Sequence, residues 1–251
     1  MALKAVNLTV NVDGKRVLSN INLEAEPGKL LVIMGPNGSG KTSLALTIMG
    51  HPSYKIVEGK ILLDGEDITN LPPNKRAEKG LFLIFQNPVE ISGVNIISLL
   101  RAVLRKRLGI PNIRQKIDDL EKKVEAEAEI LGMKKELLHR DLNVGFSGGE
   151  RKRGELLQAK ILRPRYIIMD EPDSGLDVDG VRTVADIIKE LLTTNTSVIL
   201  ITHYPRILEY IKPDKVIVLY NGKIVAEGRE EIIEKINREG YNWIIKAKST
   251  K

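Results

Sequence analysis

The chain predicts an α/β fold: a mixed, mainly parallel sheet with an antiparallel β part at its N-terminal end and an inserted helical region. Three observations predict it. Short apolar runs of the kind that form buried parallel strands stand at 30–34, 81–85, 166–170, 197–202 and 215–220. Helical stretches intervene, at 43–49, 95–163 and 178–193, the alternation that builds a parallel sheet. Residues 3–12 and 17–24 instead alternate polar and apolar about an Asp13-Gly14 turn, which reads as an antiparallel hairpin.

The elements follow in order. After the hairpin, Leu30-Leu31-Val32-Ile33-Met34 is a buried strand, and Ser43 to Met49 opens a helix. Residues 60–64 followed by Gly65 read as a strand and turn, and 81–85 as a strand with Gln86 just past its end. Between 113 and 131 the chain is charged, with Ile117, Leu120, Val124, Ala128 and Leu131 at helical spacing. After Pro164 strands and helices alternate again, closing with a helix at 230–238. The tail from Lys246 to Lys251 is expected to be disordered.

Between the first buried strand and the first helix lies Gly35-Pro36-Asn37-Gly38-Ser39-Gly40-Lys41-Thr42. It matches G-x-x-x-x-G-K-[ST], the phosphate-loop pattern, in the strand–loop–helix setting that the pattern requires. The glycines let the backbone curl so that successive N–H groups face inward and cradle an anion. The following helix, with Ser43 in its first turn, adds the positive end of its dipole. Lys41 is expected on the β- and γ-phosphates of ATP and Thr42 on Mg²⁺. Tyr166-Ile167-Ile168-Met169-Asp170-Glu171 reads as the second half of such a site. Asp170 at the strand end would hold Mg²⁺, and Glu171 would polarise an attacking water.

Composition narrows the rest. The chain has 251 residues, 42% of them hydrophobic, which suits one large domain. No apolar run approaches the length of a membrane span, and the N-terminus lacks a secretory core, so a cytoplasmic protein without direct membrane contact is expected. With no cysteine and three histidines, disulfides and structural zinc are not expected. The net charge of +6 arises from 39 basic and 33 acidic residues. That excess reads better as a lysine-rich solvated surface than as a nucleic-acid face.

Phe146-Ser147-Gly148-Gly149-Glu150, ahead of a helical stretch leading into the Asp170 strand, resembles the signature of ABC-type ATPases. The resemblance implies a P-loop NTPase fold, with a nucleotide-binding core over 1–94 and 165–251 and a helical subdomain over 95–164 that ends in the signature helix. It also implies roles. Gln86 would contact Mg²⁺ and sense the subdomain, Ser174-Gly175-Leu176-Asp177 would form the D-loop, and His203 would reach the γ-phosphate. Ser147, Gly148 and Gly149 would close on ATP bound to a second copy. Many relatives place an aromatic ring against adenine where this chain has Val12, so the base would rest on an aliphatic face.

Within that family the chain is similar to the SufC proteins of iron–sulfur cluster assembly. The runs that carry this are Phe85 to Val94, Asp170 to Asp179, Thr202 to Tyr220 and Glu239-Gly240-Tyr241-Asn242-Trp243, together with the Phe-Ser-Gly-Gly-Glu form of the signature. The resemblance implies SufB- and SufD-type scaffold proteins as partners, an ATP-dependent homodimer within the complex, and scaffold contact near Gln86–Gly93. Val89, Ile91 and Val94 would either face that partner or pack inside the helical lobe. The alternatives are the ATP-binding subunit of an importer coupled to a membrane permease, and an ABC protein acting on nucleic acid. The single cassette with a short insert argues against the last of these.

Overall fold

The computed structural model describes residues 1–108, 114–203 and 205–243, with the side chains of 108 and 114–118 left aside. The expectations at Ile117 and for the tail lie outside the described residues, as does Tyr204. In chain order come β1 (Leu3–Val12), β2 (Lys15–Ala25), β3 (Leu30–Met34), α1 (Lys41–Met49), β4 (Lys55–Leu63), β5 (Glu66–Asp67), α2 (Pro73–Glu78) and β6 (Leu81–Ile84). Next are β7 (Ile91–Asn95), α3 (Ile96–Leu108), α4 (Arg114–Ile130), β8 (Asp141–Leu142) and α5 (Gly148–Leu162). The last part holds β9 (Tyr166–Asp170), α6 (Val178–Thr193), β10 (Ser197–Ile201), β11 (Lys215–Tyr220), β12 (Lys223–Gly228) and α7 (Glu230–Glu239).

Two main sheets result. One is antiparallel, in the order β2-β1-β4-β5, and the other runs β12-β11-β3-β10-β9-β6, parallel except for β12. The β1–β2 hairpin turns at Asp13 and Gly14, both with positive φ (48° and 76°). That conformation matches the right-handed twist of the strands it joins.

The parallel strands are buried on both faces, and their side chains alternate between two clusters. Leu30, Val32 and Met34 of β3 join α3 to α6 on one side. Leu31 and Ile33 join α1 and the antiparallel sheet on the other. The sheet is therefore held by helices on one face and by the hairpin sheet and α1 on the other, which explains the unbroken apolar runs.

Some elements differ from the sequence reading. The helical insert is not purely helical: β7 pairs antiparallel with β8, Ile91 opposite Leu142. These strands are short and β7 carries Ser92 and Gly93, so no alternation marks them. β4 starts earlier than expected, and α2 and β12 were not expected at all. Leu120, Val124, Ala128 and Leu131 do pack into the core as their spacing predicts.

Candidate nucleotide site

The register of the parallel sheet brings the candidate residues together. Ile201 stands opposite both Ile33 and Asp170, and Ile84 opposite Met169. The C-terminal ends of β3, β6, β9 and β10 therefore lie along one edge. The loop after β3, Gln86 after β6, Asp170 and Glu171 after β9, and His203 after β10 all emerge there, where open α/β sheets bind ligands.

The loop curls around Lys41. Its ammonium group is buried and donates to the carbonyls of Gly35 (2.8 Å) and Pro36 (3.0 Å). Burial lowers its pKa, opposed by the charges of Glu171 and Asp170. Gly40, at φ 105°, precedes the first helical residue, and a Cβ there would stand 3.0 Å from the Leu18 side chain. A Cβ on Gly35 would lie 2.2 Å from the Leu219 carbonyl oxygen, so no side chain fits. Ser39 Oγ is buried with no hydrogen-bond partner among the described residues.

Beside the loop is a cavity of about 720 Å³, lined by Asn37, Gly38, Gly40, Lys41, Thr42, Ser43, Gln86, Glu171, Ser174 and His203 among others. Its remaining wall was not anticipated. Arg16 and Val17 of β2, with Asn221 and Gly222 from the β11–β12 turn, complete it. Gly222 makes this possible: its N–H donates to the Ser39 carbonyl at 2.9 Å, and a Cβ would stand 2.3 Å from the Val17 carbonyl oxygen. A glycine after Asn221 reads from sequence only as a hairpin turn, so nothing marked it as part of the site.

Val12 is not among the lining residues. It pairs with Lys15 at the hairpin end, and the chain reaches the cavity only further along β2, at Arg16 and Val17.

Glu171 is the most constrained residue of the site. Its φ of 51° lies in the left-handed region, which costs a residue with a side chain on the order of 1–3 kcal/mol. Five contacts hold it there, one of them the Ser174 N–H donating to its carbonyl at 3.2 Å. Its N–H donates to the Ile201 carbonyl (2.9 Å), and its own carbonyl accepts from Lys152 Nζ (3.1 Å). One carboxylate oxygen accepts from the Gln86 amide (2.8 Å), and the other lies 2.9 Å from His203 Nδ1. The same Lys152 ammonium also donates to the Ser174 carbonyl.

Asp170 fits a hard cation. Burial pushes its carboxyl pKa up to about 6, opposed by the Thr42 hydroxyl and Lys41, and its Oδ1 is buried without a hydrogen-bond partner among the described residues. A carboxylate, a hydroxyl and the Gln86 side chain form the oxygen-rich set that Mg²⁺ prefers. A second group, Glu121, Glu125 and His139, clusters within 4.8 Å. There the two carboxylates are already paired, with Arg101 at 2.6 Å and Lys135 at 2.9 Å.

Ser147, Gly148 and Gly149 are not part of this cavity. Gly148 and Gly149 line a separate groove of about 300 Å³ with Gln86, Asn87, Pro88 and Ser174. Ser147 caps α5: its hydroxyl accepts from the Glu150 N–H (3.3 Å), and the Glu150 carboxylate accepts from the Ser147 N–H (2.8 Å).

The chain is similar to known proteins. The family model described as ABC transporter matches residues 18–174. A probable ATP-dependent transporter (ycf16) from Cyanidium caldarium is 45% identical over 95% of this chain and 94% of its own. A vegetative protein (296) from Bacillus subtilis is 41% identical over 95% and 91%. Among solved structures, a nucleotide-free ATP-binding cassette from an ABC transporter superposes with a TM-score of 0.76 at 26% identity, covering 98% of this chain and 99% of its own. The ADP conformation of another such cassette gives 0.74 at 27% identity, covering 95% and 96%. The loop–cavity–Glu171 arrangement at the edge of a P-loop sheet, together with these likenesses over nearly the whole length, shows that the chain belongs to the ABC transporter ATP-binding family and is an ABC-type ATPase.

Proposed function

We propose that this chain hydrolyses Mg-ATP to drive conformational change of a SufB/SufD-type scaffold during iron–sulfur cluster assembly. The choice of partner rests on the runs around Gln86, Asp170 and Tyr241, on Thr202 to Tyr220 and on the Phe-Ser-Gly-Gly-Glu signature, which resemble SufC. The observation that carries the coupling is the apolar segment around Gln86. Phe85, Val89 and Ile91 are 38%, 63% and 42% exposed, while the Gln86 amide between them and the cavity is bonded to Glu171. A partner seated on that segment would act on the catalytic carboxylate through one residue. Val94 is half-buried. Residues 95–164 would serve as the helical lobe, which meets this surface where Ile91 pairs with Leu142 and Asn143 donates to the Val89 carbonyl, and 1–94 with 165–251 as the nucleotide-binding core. The lack of cysteine leaves cluster ligands to the partner.

The chemistry follows from the geometry. The loop amides from Gly38 to Ser43 and the start of α1 would receive the phosphates. Lys41 would reach phosphate oxygens with its remaining donor and one drawn from a loop carbonyl, a stronger charge-assisted contact. Glu171 would orient the attacking water, and His203 would hold the γ-phosphate side. Mg²⁺, held by Asp170, Thr42 and Gln86, would offset charge on the phosphates. Since Ser147 to Gly149 stand outside the cavity of their own chain, they would close on the γ-phosphate of a second copy, excluding water and strengthening each charge contact. ATP would thus join two copies and hydrolysis would release them.

Among the described residues no helix is long and apolar enough to cross a membrane, which suits a cytoplasmic complex. The importer reading keeps support from the transporter names of the relatives. Purification of the tagged chain from native cells, with identification of bound proteins, decides between them. Scaffold proteins are expected. A membrane permease in their place would move the assignment to an importer, and DNA or ribosomes would overturn both.

A further inference from the structure

The C-terminal segment beyond α7 reaches the base of the phosphate loop. The helix ends at Gly240, whose φ of 61° turns the chain back. The next residue, Tyr241, packs against the main core and brings its hydroxyl to the Gly35 N–H, which donates to it at 3.1 Å. Gly35 is buried, and its carbonyl accepts from Lys41. The first residue of the loop is therefore held at its N–H by Tyr241 and at its carbonyl by Lys41. Lys41 has three donors and two of them are on loop carbonyls, so contact with both the β- and the γ-phosphate would draw one from a carbonyl such as that of Gly35. Tyr241 is then the side chain left holding Gly35, wedged as that residue is against Leu219 and Ser39. Two residues on lies Trp243, with Lys235 Nζ 4.2 Å from its ring centre and its indole N–H buried without a partner among the described residues.

We propose that Tyr241 is a positioning residue for ATP binding: its hydroxyl on the Gly35 N–H keeps the phosphate loop curled while Lys41 moves to the nucleotide, and it couples the loop to the C-terminal segment. Without the hydroxyl the buried N–H loses its partner, and the cost of ordering the loop falls on ATP binding. The inference rests on the loop being the nucleotide site.

Trp243 is the chain's single tryptophan and makes the test direct. In the full-length protein, Mg-ATP should shift Trp243 emission and Mg²⁺ alone should not. In Tyr241→Phe, which keeps the ring, the midpoint of that titration should rise about 5- to 30-fold, the factor expected for one unsatisfied buried donor. The steady-state loss should fall on KM more than on kcat. Asn242→Ala, altering the exposed neighbour, should leave the midpoint in place. A Tyr241→Phe midpoint within twofold of the parent's overturns the proposal, as does an equal loss in Asn242→Ala or an emission unmoved by Mg-ATP in protein that hydrolyses it. Absence of any Mg-ATP affinity in the folded parent would instead remove the nucleotide site itself.

Discussion

Glu155 lies on α5, two turns past the signature, and one of its carboxylate oxygens accepts from the Phe85 N–H at 3.0 Å. Burial pushes its pKa up to about 8, against the opposing pull of that N–H and of Lys152. Between about pH 4.5 and 8 the folded protein keeps a proton that the unfolded chain releases, so this group lowers stability as pH rises through the window and levels off above it. Glu155→Gln keeps an oxygen for Phe85 and removes the charge. The pH dependence of its unfolding free energy in urea should flatten by up to about 1.4 kcal/mol per pH unit, and above the window it should be the more stable protein. Parallel curves for variant and parent would show that the carboxyl is not neutral inside. At Lys41 the expected effect is on turnover. Lys41→Ala removes the cation that the loop encloses, and phosphate release should fall about 10²-fold or more. Turnover at the parent's rate would contradict the role given to the loop. Lys41 could be read from sequence because its motif is contiguous. Glu155 could not, because a charged residue in a helix normally faces water, and its burial depends on where β6 ends.

Among the elements, α1 depends on a residue that its own sequence does not contain. Arg76 of α2 is 2% exposed. Its guanidinium donates to the carbonyls of Thr47 (2.9 Å) and Ile48 (2.6 Å) near the end of α1, and to those of Leu71 (2.8 Å) and Thr69 (2.7 Å). Burial lowers its pKa to about 10, so it remains charged at neutral pH. A cation at a helix C-terminus satisfies carbonyls that the helix cannot, and it opposes the dipole there. The loop sits at the other end of that helix. Arg76→Met fills similar space but donates nothing, and should cost about 2–4 kcal/mol in denaturant unfolding. A cost below about 0.5 kcal/mol would mean that water takes its place. The strands of the parallel sheet were legible because burial on both faces forces continuous apolar runs. The pair β7–β8 and the helix α2 were not, since elements of two to six residues carry too few positions to show a period.

For the molecule as a whole, the separation of the cavity from Gly148 and Gly149 predicts that a single copy is catalytically incomplete. Glu171→Gln should bind Mg-ATP, hydrolyse it slowly and, with the partner present, accumulate as a closed pair in size-exclusion runs. A variant that binds ATP yet stays monomeric under those conditions would rule out closure by a second copy. The sequence alone determined the α/β class, the strand–loop–helix that encloses Lys41, and the Asp170–Glu171 pair. Each of these is written in a few consecutive residues, where hydrophobic period and backbone geometry act locally. Only the tertiary structure decided that Arg16, Val17 and Gly222 wall the cavity, that Gln86, His203 and Lys152 hold Glu171 in a strained conformation, and that Tyr241 reaches Gly35. Those contacts join residues from 19 to 206 positions apart, and their partners are set by the order in which strands pair, which no local pattern encodes.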